Sequence, residues 1–154
     1  MKKTLLVLLC FPSFIFAQFC GQSGQTTIID NQTELDNIVG CTAFYGDLRI
    51  ESGQQSNTFT SINLPNLQTV EGELTVQYPN TNISFSNLTS VGGNLDISGW
   101  GHCCNYSNYI YGTGVDTVNF PNLQSVQDLQ LSNLRDVQYL NFDNLDSASN
   151  ISIG

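Results

Sequence analysis

Three carboxylates that occupy the same position of a repeated sequence pattern are the first candidates for chemistry. Asp47, Glu73 and Asp128 each come directly before a leucine. Glycoside hydrolysis uses two carboxylates on either side of a sugar chain, so such a column could belong to a polysaccharide-active enzyme. Asn94 and Asn150 take the same position in other repeats. Because acids and amides alternate there, we interpret the column as a solvated polar ladder and not as a catalytic pair.

Other enzyme chemistry finds less support. His102 is the only histidine, so no Ser, His and Asp set has independent support. It is followed by Cys103 and Cys104, and three consecutive residues do not easily converge on one tetrahedral metal ion. No fourth ligand is spaced to complete such a site. We therefore predict no metal, no cofactor and no enzymatic activity.

One insertion departs from the repeats and collects the unusual side chains. It spans residues 98–117, and its centre, GWGHCCNYSNYIYGTG at 99–114, contains the only tryptophan. Insertions into solenoids form loops on one face, often the binding face, and aromatic rings give contact area at low entropic cost. The candidate ligand-binding residues are Trp100, His102, Tyr106, Tyr109 and Tyr111. The alternative is a packed excursion that covers an apolar edge.

Five Asn-X-Ser/Thr triplets are candidate N-glycosylation sites in an exported chain. They begin at Asn31, Asn82, Asn87, Asn105 and Asn150. Asn87 also belongs to a repeated asparagine column, where its amide would be stacked in a turn, and that role conflicts with a glycan. We expect Asn82 and Asn105 to be used first.

The N-terminus has the pattern of a secretory signal peptide. Residues 1–17, MKKTLLVLLCFPSFIFA, combine two lysines with a short apolar run that Pro12 and Ser13 interrupt. We predict cleavage near Ala17 and prefer it to a membrane anchor. The product would be extracellular, either secreted or at the cell surface, with no membrane span.

Cysteine usage agrees with export into an oxidising compartment. Outside the signal peptide, the chain contains Cys20, Cys41, Cys103 and Cys104. We predict a disulfide between Cys20 and Cys41. Adjacent cysteines bond to each other only through a strained ring. Cys103 and Cys104 could therefore stay free, bridge two chains, or exchange with the first pair.

A nine-residue template recurs four times. INLPNLQTV starts at Ile62, ISFSNLTSV at Ile83, VNFPNLQSV at Val118 and LNFDNLDSA at Leu140. Except across the insertion, the starts lie about 21 residues apart. Each copy precedes a short alternation of apolar and polar residues, which predicts a β-strand. With an earlier half-copy, about five coils are visible.

This pattern predicts a parallel β-solenoid. Coils stacked about 4.8 Å apart let each strand pair with its copies above and below, around a shared apolar interior. One internal column consists of Leu64, Phe85, Phe120 and Phe142. Repeated asparagines would form an amide ladder that bonds backbone groups at a turn. The ladder consists of Asn66, Asn87, Asn122 and Asn144.

Residues 18–47 precede the coils and are predicted to cap them. Asn31 followed three residues later by Glu34 has the spacing of a capping box that opens a short helix. Gly40 would end this helix, whose apolar residues are Leu35, Ile38 and Val39. We expect the helix and its disulfide to cover the first apolar layer, and residues 48–154 to form the coils.

The charge balance excludes two classes of partner. The chain of 154 residues has 4 Lys plus Arg against 13 Asp plus Glu, and its formal net charge is −9. Nucleic acids and anionic membrane surfaces attract clustered cations, and this chain has none outside the signal peptide. We therefore predict no nucleic-acid partner and no membrane-surface partner.

The repeats also resemble a known family. IVGCTAFYGDLRI at 38–50 and FSNLTSVGGNLDI at 85–97 are similar to the receptor L-domain repeats of insulin- and EGF-type receptor ectodomains. In their spacing they are more similar to fungal GPI-anchored cell-wall organisation proteins. The resemblance runs from Cys20 to Gly154. It implies an all-β fold, a right-handed leucine-rich β-helix, with secretion, N-glycosylation and no catalytic activity.

Together these features predict a secreted, non-enzymatic cell-surface or cell-wall protein with a scaffold or wall-organisation role. The alternative is an extracellular recognition module that binds a glycan or a protein through the loop at 99–114. A polysaccharide-active enzyme is the least favoured hypothesis. Ile151 and Ile153 occupy strand positions of the last coil, and we expect that coil to self-associate or to fray.

Overall fold

The computed structural model describes residues 18–52, 59–99, 115–134 and 137–154, and these ranges form short strands and one helix. The elements in chain order are β1 (Gln18–Ile29), α1 (Gln32–Asn37), β2 (Cys41–Glu51), β3 (Ile62–Asn63), β4 (Thr69–Val70), β5 (Leu74–Gln77), β6 (Ile83–Ser84), β7 (Ser90–Val91), β8 (Leu95–Ser98), β9 (Thr117–Asn119), β10 (Asp128–Ser132), β11 (Tyr139–Asn141) and β12 (Asn150–Ile153). Within these ranges, no helix is long and apolar enough to cross a membrane. The predicted signal peptide at 1–17 lies outside them.

The strands stack into two parallel sheets. In the larger sheet, β12, β10, β8, β5 and β2 follow one another, β1 pairs with β2, and β4 and β7 continue beside β2. The smaller sheet has the order β11, β9, β6, β3. Two turns of the chain, β3 to β5 and β6 to β8, each add one strand to the smaller sheet and two to the larger one. The fold is the parallel β-solenoid of about five coils that the repeat length predicts.

The four templates stay in register across the insertion. Ile83 pairs with Ile62 on one side and with Val118, beyond the insertion, on the other. Leu95 and Leu129 are likewise directly paired in the larger sheet. The insertion is thus an excursion from one coil and does not disturb the stacking of its neighbours.

The repeated apolar positions form the core. Leu67, Leu88 and Leu123 are fully buried, as expected of an internal column. In the aromatic column, the ring of Phe120 lies parallel to its two neighbours at centroid distances of 5.0 and 5.2 Å. Leu145, at the end of the leucine column, is only partly buried, because no further described coil covers it.

The asparagine ladder joins each coil to the one before it. Nδ2 of Asn87 donates a hydrogen bond of 2.6 Å to the backbone oxygen of Pro65. Equivalent bonds to an earlier backbone oxygen are made by Asn66, Asn122 and Asn144. A backbone oxygen at this turn lies outside the strands and receives no hydrogen bond from strand pairing, so the Nδ2 group of the asparagine donates to it instead.

The N-terminal end is covered by β1 and α1. Oδ1 of Asn31 accepts from the backbone N–H of Glu34 at 3.0 Å, and Oε2 of Glu34 accepts from the N–H of Asp30 at 3.1 Å. The capping motif is therefore present, with its return bond one residue earlier than the spacing implies. Oε1 of Gln32 accepts from the N–H of Thr60 at 2.8 Å, close to where β3 begins. Gln32 of the helix therefore holds the backbone just before β3, the strand at the end of the smaller sheet.

The helix is shorter than predicted. It ends at Asn37, with Ile38 as its C-cap, and β2 begins at Cys41. Leu35 is buried, but Val39 lies beyond the helix with 41% of its surface exposed, so its assignment to the apolar face of the helix is wrong. The chain must leave the helix before Val39 in order to enter the sheet at Cys41. The expected border between cap and coils at residue 47 consequently falls inside β2.

Cys20 and Cys41 are joined by a disulfide, with their Cα atoms 5.9 Å apart. The bond ties β1, which is mostly exposed, to the first residue of β2. At the opposite end of the larger sheet, Ile151 and Ile153 of β12 are 59% and 69% exposed. Self-association or fraying at this end stays a prediction.

Candidate functional site

The connections from the larger to the smaller sheet differ in length, and we call their common location the variable corner. It comprises the links 52–61, 78–82, 99–116 and 133–138. The strands that enter these links are stacked on one another, and so are the strands that leave them. The links therefore begin and end along one edge of the solenoid. The longest of them contains the predicted aromatic loop.

The outgoing end of the long link is fixed by a glycine. Gly99 is buried, and its N–H donates to the backbone oxygen of Ser132 at 2.8 Å. A Cβ at this position would collide with the backbone oxygen of Asn133. A glycine directly after a strand is required where the backbone of another segment approaches too closely for a side chain. The link therefore leaves β8 at a defined point against the next coil.

The returning end is fixed by Asn82, which belongs to the preceding coil. Its Oδ1 accepts from the backbone N–H groups of Asp116 and Thr117 at 2.9 and 3.0 Å. Val115 is buried beside this point. Both ends of the link are thus held by neighbouring coils, which is how a rigid scaffold presents a binding loop.

Neither anchor is predicted by the sequence. Asn82 stands out there only as the start of a sequon, and Gly99 only as the first residue of the loop. A glycine directly after a predicted strand is the one signal in the sequence that points to such an anchor. The ligand-binding candidates of the loop lie outside the described residues, as do the two adjacent cysteines and one sequon. These are Trp100, His102, Tyr106, Tyr109, Tyr111, Cys103, Cys104 and Asn105.

Two carboxylates of the repeated acidic column, those of Asp47 and Asp128, accept hydrogen bonds from neighbouring coils. Oδ1 of Asp47 accepts from the N–H of Glu73 at 2.9 Å, and Oδ2 accepts from the hydroxyl of Thr26 at 3.1 Å. Asp128 Oδ1 accepts from Nδ2 of Asn150 at 2.8 Å. Two of these carboxylates therefore bridge neighbouring coils. The geometry is that of a polar ladder, in which the carboxylates of Asp47 and Asp128 accept from donors of adjacent coils.

One carboxyl beside this column has a perturbed titration. Asp96 of β8 lies between Thr75 and Gln130 in the strand register. Its Oδ1 is buried and has no hydrogen-bond partner among the described residues. Burial, and then the negative charge of Glu73, raise the pKa of Asp96 above its ordinary value of 3.8. The ionised form is therefore disfavoured in the folded protein.

We expect Asp96→Asn to raise the melting temperature at pH 7 and to leave it unchanged below pH 3.8, the ordinary pKa of this carboxyl. The raised pKa means that the folded state binds this proton more tightly than the unfolded chain, so stability falls as the pH rises from the ordinary pKa through the raised one. An asparagine does not ionise, so the variant does not lose this stability as the pH rises. The difference in melting temperature between the wild type and the variant is measured by thermal unfolding at several pH values.

Asp143→Asn is the matched control, since Asp143 is exposed and its loss changes the net charge equally. An equal gain in the two variants would show that general repulsion in an acidic chain is responsible, and not the burial of Asp96.

The four described sequons differ in whether their amide nitrogen is engaged. The Nδ2 atom of Asn31 donates to Asp30. That of Asn87 donates to Pro65, and that of Asn150 donates to Asp128. Asn82 is exposed and uses only its Oδ1, so its Nδ2 makes no hydrogen bond to a described residue. A glycan is attached to Nδ2, so a sugar at Asn82 would leave the bonds of Oδ1 intact.

Comparison with protein families gives one match. The family model of the Receptor L domain matches residues 40–152. This range starts just before β2 and runs almost to the end of β12, so it contains the smaller sheet, the larger sheet apart from β1 and the last residue of β12, and the whole variable corner. Neither curated proteins nor solved structures gave a significant match.

Proposed function

The chain belongs to the receptor L domain family, and from this premise we propose that it is an exported, non-catalytic recognition module that binds a glycan or a protein through the link 99–116. Membership of the family indicates an extracellular ligand-binding module and gives no indication of catalysis. The position and the chemistry of the binding surface are our inference.

The anchoring of the long link carries this proposal. Gly99 holds one end against the next coil, and Asn82 holds the other end with two hydrogen bonds. These anchors fix the two points between which the link runs. Between these anchors the sequence places the only tryptophan and three tyrosines, which are side chains enriched at recognition surfaces.

Three features support export. Residues 1–17 have the composition of a signal peptide. The Cys20–Cys41 disulfide belongs in an oxidising compartment. The free Nδ2 of Asn82 suits N-glycosylation, and because Asn82 also holds the returning end of the link, a glycan there would lie beside the binding surface.

We expect Trp100→Ala to weaken binding at least about tenfold, because buried aromatic anchors dominate the energy of most recognition surfaces. A glycan and protein array identifies a ligand that binds saturably, and titration of the purified protein then gives the affinities. Phe19→Ala is the control, because Phe19 is an exposed ring on β1, far along the solenoid from β8. Equal affinities for the wild type and Trp100→Ala would refute the proposal.

A scaffold role in surface or wall organisation is the second candidate, favoured by the exposed strand β12. Its side chains carry no charge, and two of the four are isoleucines that are more than half exposed. An open strand edge of this kind can pair with a second chain. An inert array combined with a mass that rises with concentration in sedimentation would favour this role over recognition.

A further inference from the structure

A second surface lies on the turn that leads from the smaller sheet back to the larger one, away from the variable corner. Five side chains there line an open groove of about 340 Å³, and they are Gln68, Asn87, Thr89, Asn122 and Gln124. The three contributing turns belong to consecutive coils, since Ser90 pairs with Thr69 and with Ser125. The groove therefore runs along the axis of the solenoid.

The two asparagines of the groove are held in fixed orientations. Their Nδ2 atoms donate to the backbone oxygens of Pro65 and Ser86, at 2.6 and 2.7 Å. Their Oδ1 atoms make no hydrogen bond to a described residue. With one side of each amide committed to the preceding coil, the oxygen is left as an oriented acceptor for a ligand.

The other three side chains add donors and acceptors. The hydroxyl of Thr89 donates to the backbone oxygen of Gln68 at 2.9 Å, which leaves its own oxygen free to accept. Gln68 and Gln124 are exposed, and their side-chain amides have no partner among the described residues. Each can both donate and accept. All five side chains are neutral in a chain whose formal net charge is −9.

The backbone of the groove is closed to a strand-like peptide. The N–H of Thr89 donates to the oxygen of Gln68 at 2.8 Å, and the N–H of Gln124 donates to the oxygen of Thr89 at 2.9 Å. These groups are used between coils, so no row of free backbone groups remains for strand addition. No apolar side chain lines the groove to accept a hydrophobic residue of a peptide.

From this arrangement we propose that the groove binds a neutral linear polysaccharide, with the sugar chain lying along the solenoid axis. Such a chain presents hydroxyl groups at regular intervals, and the amide and hydroxyl side chains recur from coil to coil about every 4.8 Å. We infer a neutral ligand because none of the five lining side chains carries a charge. The fixed asparagine oxygens lower the ordering cost of binding.

Titration with uncharged oligosaccharides tests the groove. The probes are β-1,4-linked hexamers of glucose and of N-acetylglucosamine, and the corresponding dimers, followed by calorimetry and by amide chemical shifts. We expect at least one hexamer to bind more tightly than its dimer and to shift the amides of residues 87–89 and 122–124. The double variant Gln68→Ala, Gln124→Ala should weaken that binding at least tenfold.

Gln130→Ala is the matched control, because Gln130 is an exposed glutamine on β10 of the larger sheet. Absence of binding by the wild type, or an equal loss in this control, would overturn the proposal. So would a hexamer whose binding is lost with Trp100→Ala but not with the double glutamine variant, and that outcome would leave the proposed function intact. Peptide mapping that finds Asn87 glycosylated would also overturn it, since the attached glycan would fill the groove.

Discussion

Replacing Phe120 with alanine should lower the free energy of unfolding by about 4 kcal/mol, because removal of a fully buried ring leaves a cavity that its surroundings cannot close. Phe120 has no exposed surface, and its ring is stacked between Phe85 and Phe142. The coils on both sides are held by strand pairing through Val118, which pairs with Ile83 and with Leu140. They cannot move together to fill the space without breaking that pairing.

Phe142→Ala is the control within the same column. Phe142 is only partly buried and has one described ring neighbour. We expect a loss of about 1 to 2 kcal/mol, since part of this ring is already in water. Urea unfolding with linear extrapolation gives both values. Equal losses of unfolding free energy in the two variants would contradict the interpretation that Phe120 is enclosed within the column and Phe142 is partly exposed at its end.

Removal of the Cys20–Cys41 disulfide should lower the free energy of unfolding by about 3 kcal/mol, the value that the chain-entropy account assigns to a closed loop of this size. The cysteines are 21 residues apart in sequence. The bond holds β1, which is exposed along most of its length, against the start of β2. Cys20→Ser together with Cys41→Ser is the variant, measured by urea unfolding under non-reducing conditions.

Hydrogen exchange gives this experiment a spatial readout. In a solenoid each coil contacts mainly its neighbours, so the loss of protection should be concentrated in residues 18–40 and should fade along the coils. Cys103→Ser with Cys104→Ser is the control for the loss of two cysteines elsewhere in the chain. Peptide mapping that links Cys20 to Cys103 or Cys104 would refute the prediction, as would unchanged stability of the first variant.

The sequence was sufficient to predict the fold, because in a solenoid residues that are one repeat apart in sequence are neighbours in adjacent coils. A chain that returns to the same place after each repeat must pair every residue with its copy, and Ile62, Ile83 and Val118 are paired in that way. The same rule determined the ladder of asparagines and the apolar columns. It failed at Val39, because residues before the first template have no copy to compare with. Their burial depends on where the chain leaves α1 to enter β2.

The candidate site was only partly readable from the sequence. The insertion can be recognised in the sequence, since Trp100 and its neighbours interrupt a regular repeat. The groove beside Asn87 did not, because its side chains look like ordinary turn residues until three coils bring them together.

What the sequence determined by itself is therefore the period, the identity of the internal columns and the place where one coil departs from the pattern. The tertiary structure alone decided that Asn82 would hold a backbone segment 34 residues further on, and that Gly99 would need to be a glycine. It also decided that the carboxylates of Asp47 and Asp128 would bridge coils. The physical reason is common to all of these. Each bond joins atoms of different coils, and its geometry depends on how the turns of neighbouring coils are placed, which the spacing within one repeat does not encode.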